Sequence, residues 1–326
     1  MTPKKKKKTA LVTGGAGFIG SFLSEELLNC GYKIRVVDNL STGSLANIKH
    51  LENNSDFIFE TGNIMDKKLM DQMVSECDVV FHLAAAVGVR LIIEKPVDTI
   101  ETNILGSEII LKLANKYNKK VIMASTSEVY GKNNKVPFKE TDDSVYGPTI
   151  KSRWSYACSK AVDEFLSLAY YHEKKLPVVI VRLFNTIGPR QTGQYGMVVP
   201  TFVKQALMGH DMTVFGDGKQ TRCFTNVRDV VWAIINLSEK PQAEGKVYNI
   251  GSREEISIKD LAKKIKAMCE SSSKIIQVPY DSAFARGFED MHRRVPDISK
   301  VAKEIGYKPK ISLEQSILEI IDFYKR

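Results

Sequence analysis

Cysteine is scarce in this chain and shows no pattern. The five present (Cys30, Cys77, Cys158, Cys223, Cys269) are odd in number, scattered, and include no Cys-x-x-Cys pair. This argues against a disulfide framework or a structural zinc and for reduced thiols in the cytoplasm. The five histidines form no cluster with ligand spacing, so no metal is expected. No apolar run is long enough to span a bilayer, and no apolar segment precedes the first strand-like stretch, so neither a membrane partner nor a signal peptide is expected. Apart from a lysine run at residues 4–8, the sequence has no low-complexity tract and no internal repeat.

What remains is a chain of 326 residues, 43% hydrophobic, long enough for a large core and one or two lobes. The formal net charge is +9, and the lysine run supplies five of those charges. That run reads as a solvated, disordered tail over residues 1–8 rather than a nucleic-acid arm. The modest positive balance of the rest suits a substrate that carries phosphates.

The apolar run 9–13 leads into Gly14-Gly15-Ala16-Gly17-Phe18-Ile19-Gly20, followed by a helical pattern over 21–30. Strand, glycine turn and helix in that order form a dinucleotide-binding unit. Gly14 permits a tight turn, Gly17 lets a pyrophosphate approach the backbone, and Gly20 lets the helix pack on the strand. The free N–H groups at the helix start would face the phosphates, beside Phe18 and Ile19. A second strand, 33–37, runs into Asp38, eighteen residues beyond Gly20. A carboxylate there accepts hydrogen bonds from ribose hydroxyls and repels a 2′-phosphate, so NAD is expected over NADP.

Downstream stand Ser125-Thr126-Ser127-Glu128-Val129-Tyr130-Gly131 and then Tyr156-Ala157-Cys158-Ser159-Lys160. Tyr156 and Lys160 are four residues apart in a helical stretch, so they share a face. A free phenol ionises near pH ~10 and is a poor base at neutrality. A nearby ammonium and a nicotinamide cation would favour the phenolate, which could then take a proton from a substrate hydroxyl as hydride leaves the same carbon. Thr126 would hydrogen-bond that hydroxyl.

Strand-like runs at 9–13, 33–37, 57–60, 79–83, 121–124 and 178–183 alternate with helical patterns. This implies an α/β fold with a doubly wound parallel sheet. The Rossmann domain is expected over 9–184. After Phe184 glycine and proline cluster, and 185–326 reads as a smaller C-terminal substrate-binding lobe, with 224–250 returning to the sheet.

These residues resemble the extended short-chain dehydrogenases/reductases that modify nucleotide sugars. The likeness runs from Ala10 to about Tyr324 and includes His82-Leu83-Ala84-Ala85, Arg182-Leu183-Phe184-Asn185-Thr186-Ile187-Gly188-Pro189-Arg190 and Gln220-Thr221-Arg222. It implies that Asp38 and Asn39 hold the adenosine ribose, that Asn63 and Ile64 flank adenine, and that Leu83 and Ala84 line the cofactor channel. It also implies a catalytic set of Thr126, Tyr156 and Lys160. Asn185 and Arg222 would meet the diphosphate of a UDP-sugar, Val199 and Phe215 its base, and Arg294 the phosphates or the reacting sugar. A homodimer is implied through helices near 97–117 and 155–173, with Ile104, Ile109, Leu113, Phe165, Leu168 and Ala169 on the contact face.

In such enzymes oxidation at C4 of the hexose prepares a second step, and the residues after Thr126 select it. Ser127-Glu128 looks like the UDP-glucuronate decarboxylases and also like GDP-mannose 4,6-dehydratases, while Asp38 does not look like the NADP-using members. Lys151-Ser152-Arg153-Trp154-Ser155-Tyr156 and Gly287-Phe288-Glu289-Asp290 resemble the decarboxylase domain of the aminoarabinose pathway. UDP-glucuronate decarboxylation to UDP-xylose or its 4-keto form is therefore the leading expectation, with Ser127 and Glu128 positioning the carboxylate and Arg294 assisting protonation at C5. A UDP-sugar 4-epimerase, a 4,6-dehydratase and a non-catalytic NAD-binding module stay open as alternatives.

Overall fold

The structure, a computed structural model, describes residues 7–88, 94–193, 196–279 and 291–325. Residues 1–6, Val89, Arg90, Gln194, Tyr195 and the segment 287–290 quoted above lie outside that set. Of the lysine run, Lys7 and Lys8 fall inside it and are ion-paired on the surface, Lys7 with Asp56 and Lys8 with Glu239.

All six strands expected from the sequence are present: β1 (Thr9–Thr13), β2 (Lys33–Asp38), β3 (Phe57–Thr61), β4 (Val79–His82), β5 (Lys120–Thr126) and β6 (Val178–Leu183). The strand Lys246–Ile250 joins them beside β6, and every pairing in this seven-stranded sheet is parallel. Across the sheet the order runs from Lys246–Ile250 through β6, β5, β4, β1 and β2 to β3. β5 is longer than its apolar centre suggests because it pairs along both sides, with β4 and with β6.

Side chains alternate across each strand, and both faces are buried, so each strand reads as a continuous apolar run. Ala10, Val12, Ile34, Val36, Phe81, Ile122, Val179 and Val181 enter one core, under helix α1 (Phe18–Asn29) and the helix Val227–Ser238. Leu11, Val37, Val80, Val121, Met123, Val178 and Ile180 enter the other, under α2 (Lys67–Ser75), α3 (Pro96–Lys116) and α4 (Arg153–Lys174). A third core lies among the helices Val198–Leu207, Ile258–Met268 and Leu313–Lys325. Three two-stranded pairings, 225–226 with 186–187, 255–257 with 221–223, and 275–278 with 212–215, belong to this half of the chain.

The strand order reverses between β1 and β4, and a parallel sheet binds ligands at the carboxyl ends flanking such a point. The glycine turn sits there. Gly14 has φ +72°, and a Cβ on it would lie 2.9 Å from the Ala84 nitrogen at the end of β4. A Cβ on Gly20 would stand 2.2 Å from the Gly14 carbonyl oxygen, so α1 rests directly on the turn.

On the far face α3 and α4 pack side by side and leave Val97, Ile100, Leu105, Val162 and Phe165 exposed, Phe165 by 75%. Ala169 is exposed and Ile104 half-buried, in keeping with an outer face. Ile109 is a correction: it is 7% exposed and packs into the sheet-side core, with Leu113 and Leu168 against the same core.

Replacing Gly20 by alanine overfills the α1–turn contact and is expected to cost about 1–3 kcal/mol. Thermal unfolding should show a melting temperature lower by several degrees. An unchanged value would mean that α1 can move away from the turn at no cost.

Candidate active site

β5 ends at Thr126, whose Oγ1 accepts the Glu128 N–H at 3.2 Å and caps a single 3-10 turn, Ser127–Tyr130. The tight turn directs Ser127 and Glu128 inward, 2% and 9% exposed. Tyr130 fixes the turn from behind: its ring stacks on Phe138 at 4.6 Å and its hydroxyl donates to Asn249 Oδ1 at 2.7 Å.

Glu128 lies between two guanidiniums. Its Oε1 meets Arg294 Nη1 at 2.6 Å and its Oε2 meets Arg153 Nη2 at 2.5 Å. Burial opposes its charge, but Arg153 and Arg294, with Arg222 further out, hold the carboxyl below its ordinary range. Arg153 opens α4 and is 2% exposed, yet its Nε and Nη1 have no hydrogen-bond partner, nor has Arg294 Nε. A buried cluster with spare donors of this kind suits an anionic, oxygen-rich group.

Tyr156 and Lys160 follow on α4, 7% and 3% exposed. The ammonium does not by itself bring the phenol toward ionisation. Burial raises the Tyr156 pKa, Glu128 and Asp163 raise it further, and the Thr126 hydrogen bond and Arg153 act the other way. Lys160 Nζ donates to Asp163 Oδ2 at 2.7 Å. Beneath them His82, at the end of β4, meets Thr13 Oγ1 at 2.8 Å and Ser107 Oγ at 3.3 Å. Burial, then the Lys160 charge, push its pKa down to about 3, so it stays neutral and structural.

At the other end of the cleft, Asp38 Oδ2 accepts the Ala16 N–H at 3.0 Å and Oδ1 the Leu40 N–H at 2.8 Å, tying the glycine turn to β2. Burial raises its carboxyl pKa, although the Leu40, Ala16 and Gly17 N–H groups pull it down. No side chain caps α1 at Gly17, and a Cβ on Gly17 would meet only the Gly14 carbonyl oxygen, at 3.1 Å. Phe18 and Ile19 are half-buried in the first turn. Asn39 and Asn63 are exposed at the ends of β2 and β3, and Leu83 and Ala84 continue β4 half-buried. Ile64 is 5% exposed and packs over Gly106, leaving its backbone as the part a ligand could meet.

The remaining expected residues lie on the second half of the chain. Asn185, at φ +24°, donates to the Cys223 carbonyl at 2.9 Å. Arg222 is 5% exposed and donates to the Thr221 carbonyl at 2.7 Å. Phe215 is half-buried, whereas Val199 is 1% exposed inside the third core and offers no side-chain surface. Thr126, Ser127, Glu128, Tyr156, Lys160 and Arg294 are thus brought to one place. Two residues there received no site role from the sequence: Arg153, quoted only within the motif that leads to Tyr156, and Asp163. The signal for the first was a cation three residues before the tyrosine on a helix, and for the second an anion three residues after the lysine. Among the described residues no group of three His, Cys, Asp or Glu is placed to hold a metal.

The family profile described as GDP-mannose 4,6 dehydratase matches residues 11–320. A UDP-N-acetyl-alpha-D-glucosaminuronate decarboxylase of Bacillus cytotoxicus is 46% identical over 320 residues, 98% of either chain. UDP-glucuronic acid decarboxylase 1 of Arabidopsis thaliana is 35% identical over 99% of this chain and 71% of its own. The solved UDP-glucuronic acid 4-epimerase of Bacillus cereus, in complex with UDP-glucuronic acid and NAD, superposes with a TM-score of 0.87 at 30% identity, covering 97% of this chain and 99% of its own. The chain therefore belongs to the GDP-mannose 4,6-dehydratase family of extended short-chain dehydrogenases/reductases, NAD-dependent enzymes that rework nucleotide sugars.

Proposed function

We propose that this enzyme decarboxylates a UDP-linked hexuronate, UDP-glucuronate or its 2-acetamido counterpart, after oxidation at C4. The observation that carries this reading is the Glu128 carboxylate held between Arg153 and Arg294. A dehydratase needs a base at C5. A carboxylate paired to two guanidiniums and held at low pKa is a weak one. The same two arginines, with unmatched N–H groups, suit a substrate carboxylate. The 46% identical relative supports the acetamido substrate and the 35% identical one supports UDP-glucuronate.

The residues at the sheet end fit NAD: an uncapped helix start, a glycine turn open to a pyrophosphate, and a carboxylate at the end of β2 that disfavours a 2′-phosphate. Bound there, NAD supplies a hydride acceptor for C4. Tyr156 takes the 4-OH proton, Thr126 orients that hydroxyl, and Lys160 stands beside the phenol. The resulting 4-ketone makes the C5 carboxylate a β-keto acid, which loses CO₂. Ser127 and Glu128 orient that carboxylate through Arg153 and Arg294, and Arg294 assists protonation at C5. In this reading Arg222 and Asn185 bind the diphosphate, and the third core carries the substrate-side lobe. Return of the hydride to C4 gives a UDP-pentose with no net redox change; without that return the 4-keto form is released and the cofactor stays reduced.

No helix among the described residues is long and apolar enough to cross a membrane, and the five unpaired cysteines suit a reducing compartment such as the cytoplasm. The exposed apolar strip on α3 and α4 supports a homodimer.

An NMR time course with UDP-glucuronate, UDP-N-acetylglucosaminuronate and UDP-glucose should show CO₂ loss and a UDP-pentose from a uronate. A uronate epimer or a 4-keto-6-deoxy sugar without CO₂ would move the enzyme to the epimerase or dehydratase branch. Arg153→Met should lower decarboxylation at least about 100-fold, the scale of ~3 kcal/mol lost when one member of a buried charge cluster is removed. Glu128 carries a depressed pKa, so its stabilisation is full above the unfolded carboxyl value of about 4.3 and fades as pH falls through the lower folded value. The gap in melting temperature between wild type and Glu128→Gln should accordingly close on acidification below about pH 4. Phe165→Asp should convert the dimer to a monomer in sedimentation analysis.

A further inference from the structure

We propose that Asp163 is a positioning residue for C4 oxidation: its buried carboxylate anchors the Lys160 ammonium beside Tyr156 and thereby tunes the phenol as a base. This rests on the reading of Tyr156 as the residue that takes the 4-OH proton. The two side chains meet at 2.7 Å, three residues apart on α4, with 3% and 1% of their surfaces exposed. A lysine stem is long and flexible, and a buried ammonium without a partner is costly, so a fixed anion decides where the charge rests.

Among the described residues, the two neighbouring carboxylates are engaged elsewhere. Glu164, the next residue on α4, is already bound by Arg182 in two bonds, at 2.9 and 2.7 Å, and by the Ser125 hydroxyl. Glu128 is held by Arg153 and Arg294. Burial raises the Asp163 carboxyl pKa, while Lys160 and, behind it, Ser107 on α3 favour the carboxylate, although no well-formed hydrogen bond reaches Oδ1. His82 on β4 contacts that same Ser107 and is neutral. The charged groups that act on the phenol are therefore Glu128 after β5 and Arg153 and Asp163 on α4, with Arg222 and Arg294 acting through Glu128 and Lys160 through Asp163.

Asp163 works in two opposed ways. It holds the ammonium in place, and its own negative charge disfavours the phenolate. Asp163→Asn keeps the shape and an acceptor for Lys160 while removing the anion. The negative charge that opposes the phenolate is then gone, and ionisation moves to lower pH by about one unit or more, the usual effect of one nearby charge.

The test is a tyrosinate absorbance titration of the full chain loaded with NAD. Wild type and Asp163→Asn are each measured against the same protein carrying Tyr156→Phe, so that the difference reports Tyr156 alone. The expected result is a midpoint lower by about one pH unit in Asp163→Asn and unmoved in the charge-keeping Asp163→Glu. Should Asp163→Asn not fold, Asp163→Ser serves in its place. A folded, uncharged variant with the wild-type midpoint overturns the proposal, even if its stability or NAD affinity has fallen. The titration uses no sugar. Failure of the wild type to release CO₂ from either uronate would sink the decarboxylase reading and leave the Asp163 result intact.

Discussion

The contact on which the site depends is one buried carboxylate shared by two guanidiniums. Glu128 comes from the turn after β5, Arg153 from the start of α4, and Arg294 from a segment 166 positions beyond Glu128. None of the three could be buried alone, because an isolated charge in the interior costs several kcal/mol in lost hydration. Together they satisfy most of one another's demands and join the sheet body to the later half of the chain. Arg153 Nε and Nη1, Arg294 Nε and Glu128 Oε2 lack a well-formed hydrogen bond, so three of the four unmatched atoms of the cluster are donors. An excess of buried N–H donors suits an anion.

A second buried pair holds the frame. Arg182 on β6 grips Glu164 on α4, and Ser125 on β5 donates to the same carboxylate, so two neighbouring strands and the helix that carries Tyr156 and Lys160 are locked in one register. At the other end Asp38 does the same for the glycine turn, accepting N–H groups from Ala16 and Leu40. Buried carboxylates thus fix the sheet on either side of its switch point. Neutral His82 lies between them and links β1, β4 and α3 through two hydroxyls without adding charge.

The sheet was readable because a parallel strand buried on both faces must be a short continuous apolar run, and six such runs stand out. The glycine turn was readable because Gly14 and Gly20 meet steric limits that no other residue meets. That Tyr156 and Lys160 share one helix followed from their spacing, while their reading as a site rested on the glycine turn upstream. Sequence reading was weaker where orientation mattered. Ile109 falls on a helix at an apolar position, and nothing local says whether it faces the sheet or the outside. Val199 and Ile64 sit at positions that fit the resemblance, yet packing encloses both side chains.

By itself, then, the sequence determined the fold class, the glycine turn between β1 and α1, and the order along the chain of the candidate site residues Asp38, Thr126, Glu128, Tyr156 and Lys160. Each of these follows from local spacing and local sterics. Only the tertiary structure decided that Glu128 is paired twice, that Arg153 belongs to the site, and that Lys160 is neutralised by Asp163. Those facts depend on which buried charges meet across segments distant in sequence or across a helix turn in a low-dielectric interior. Charge pairing there is set by desolvation and geometry, and neither is written in any short stretch of residues.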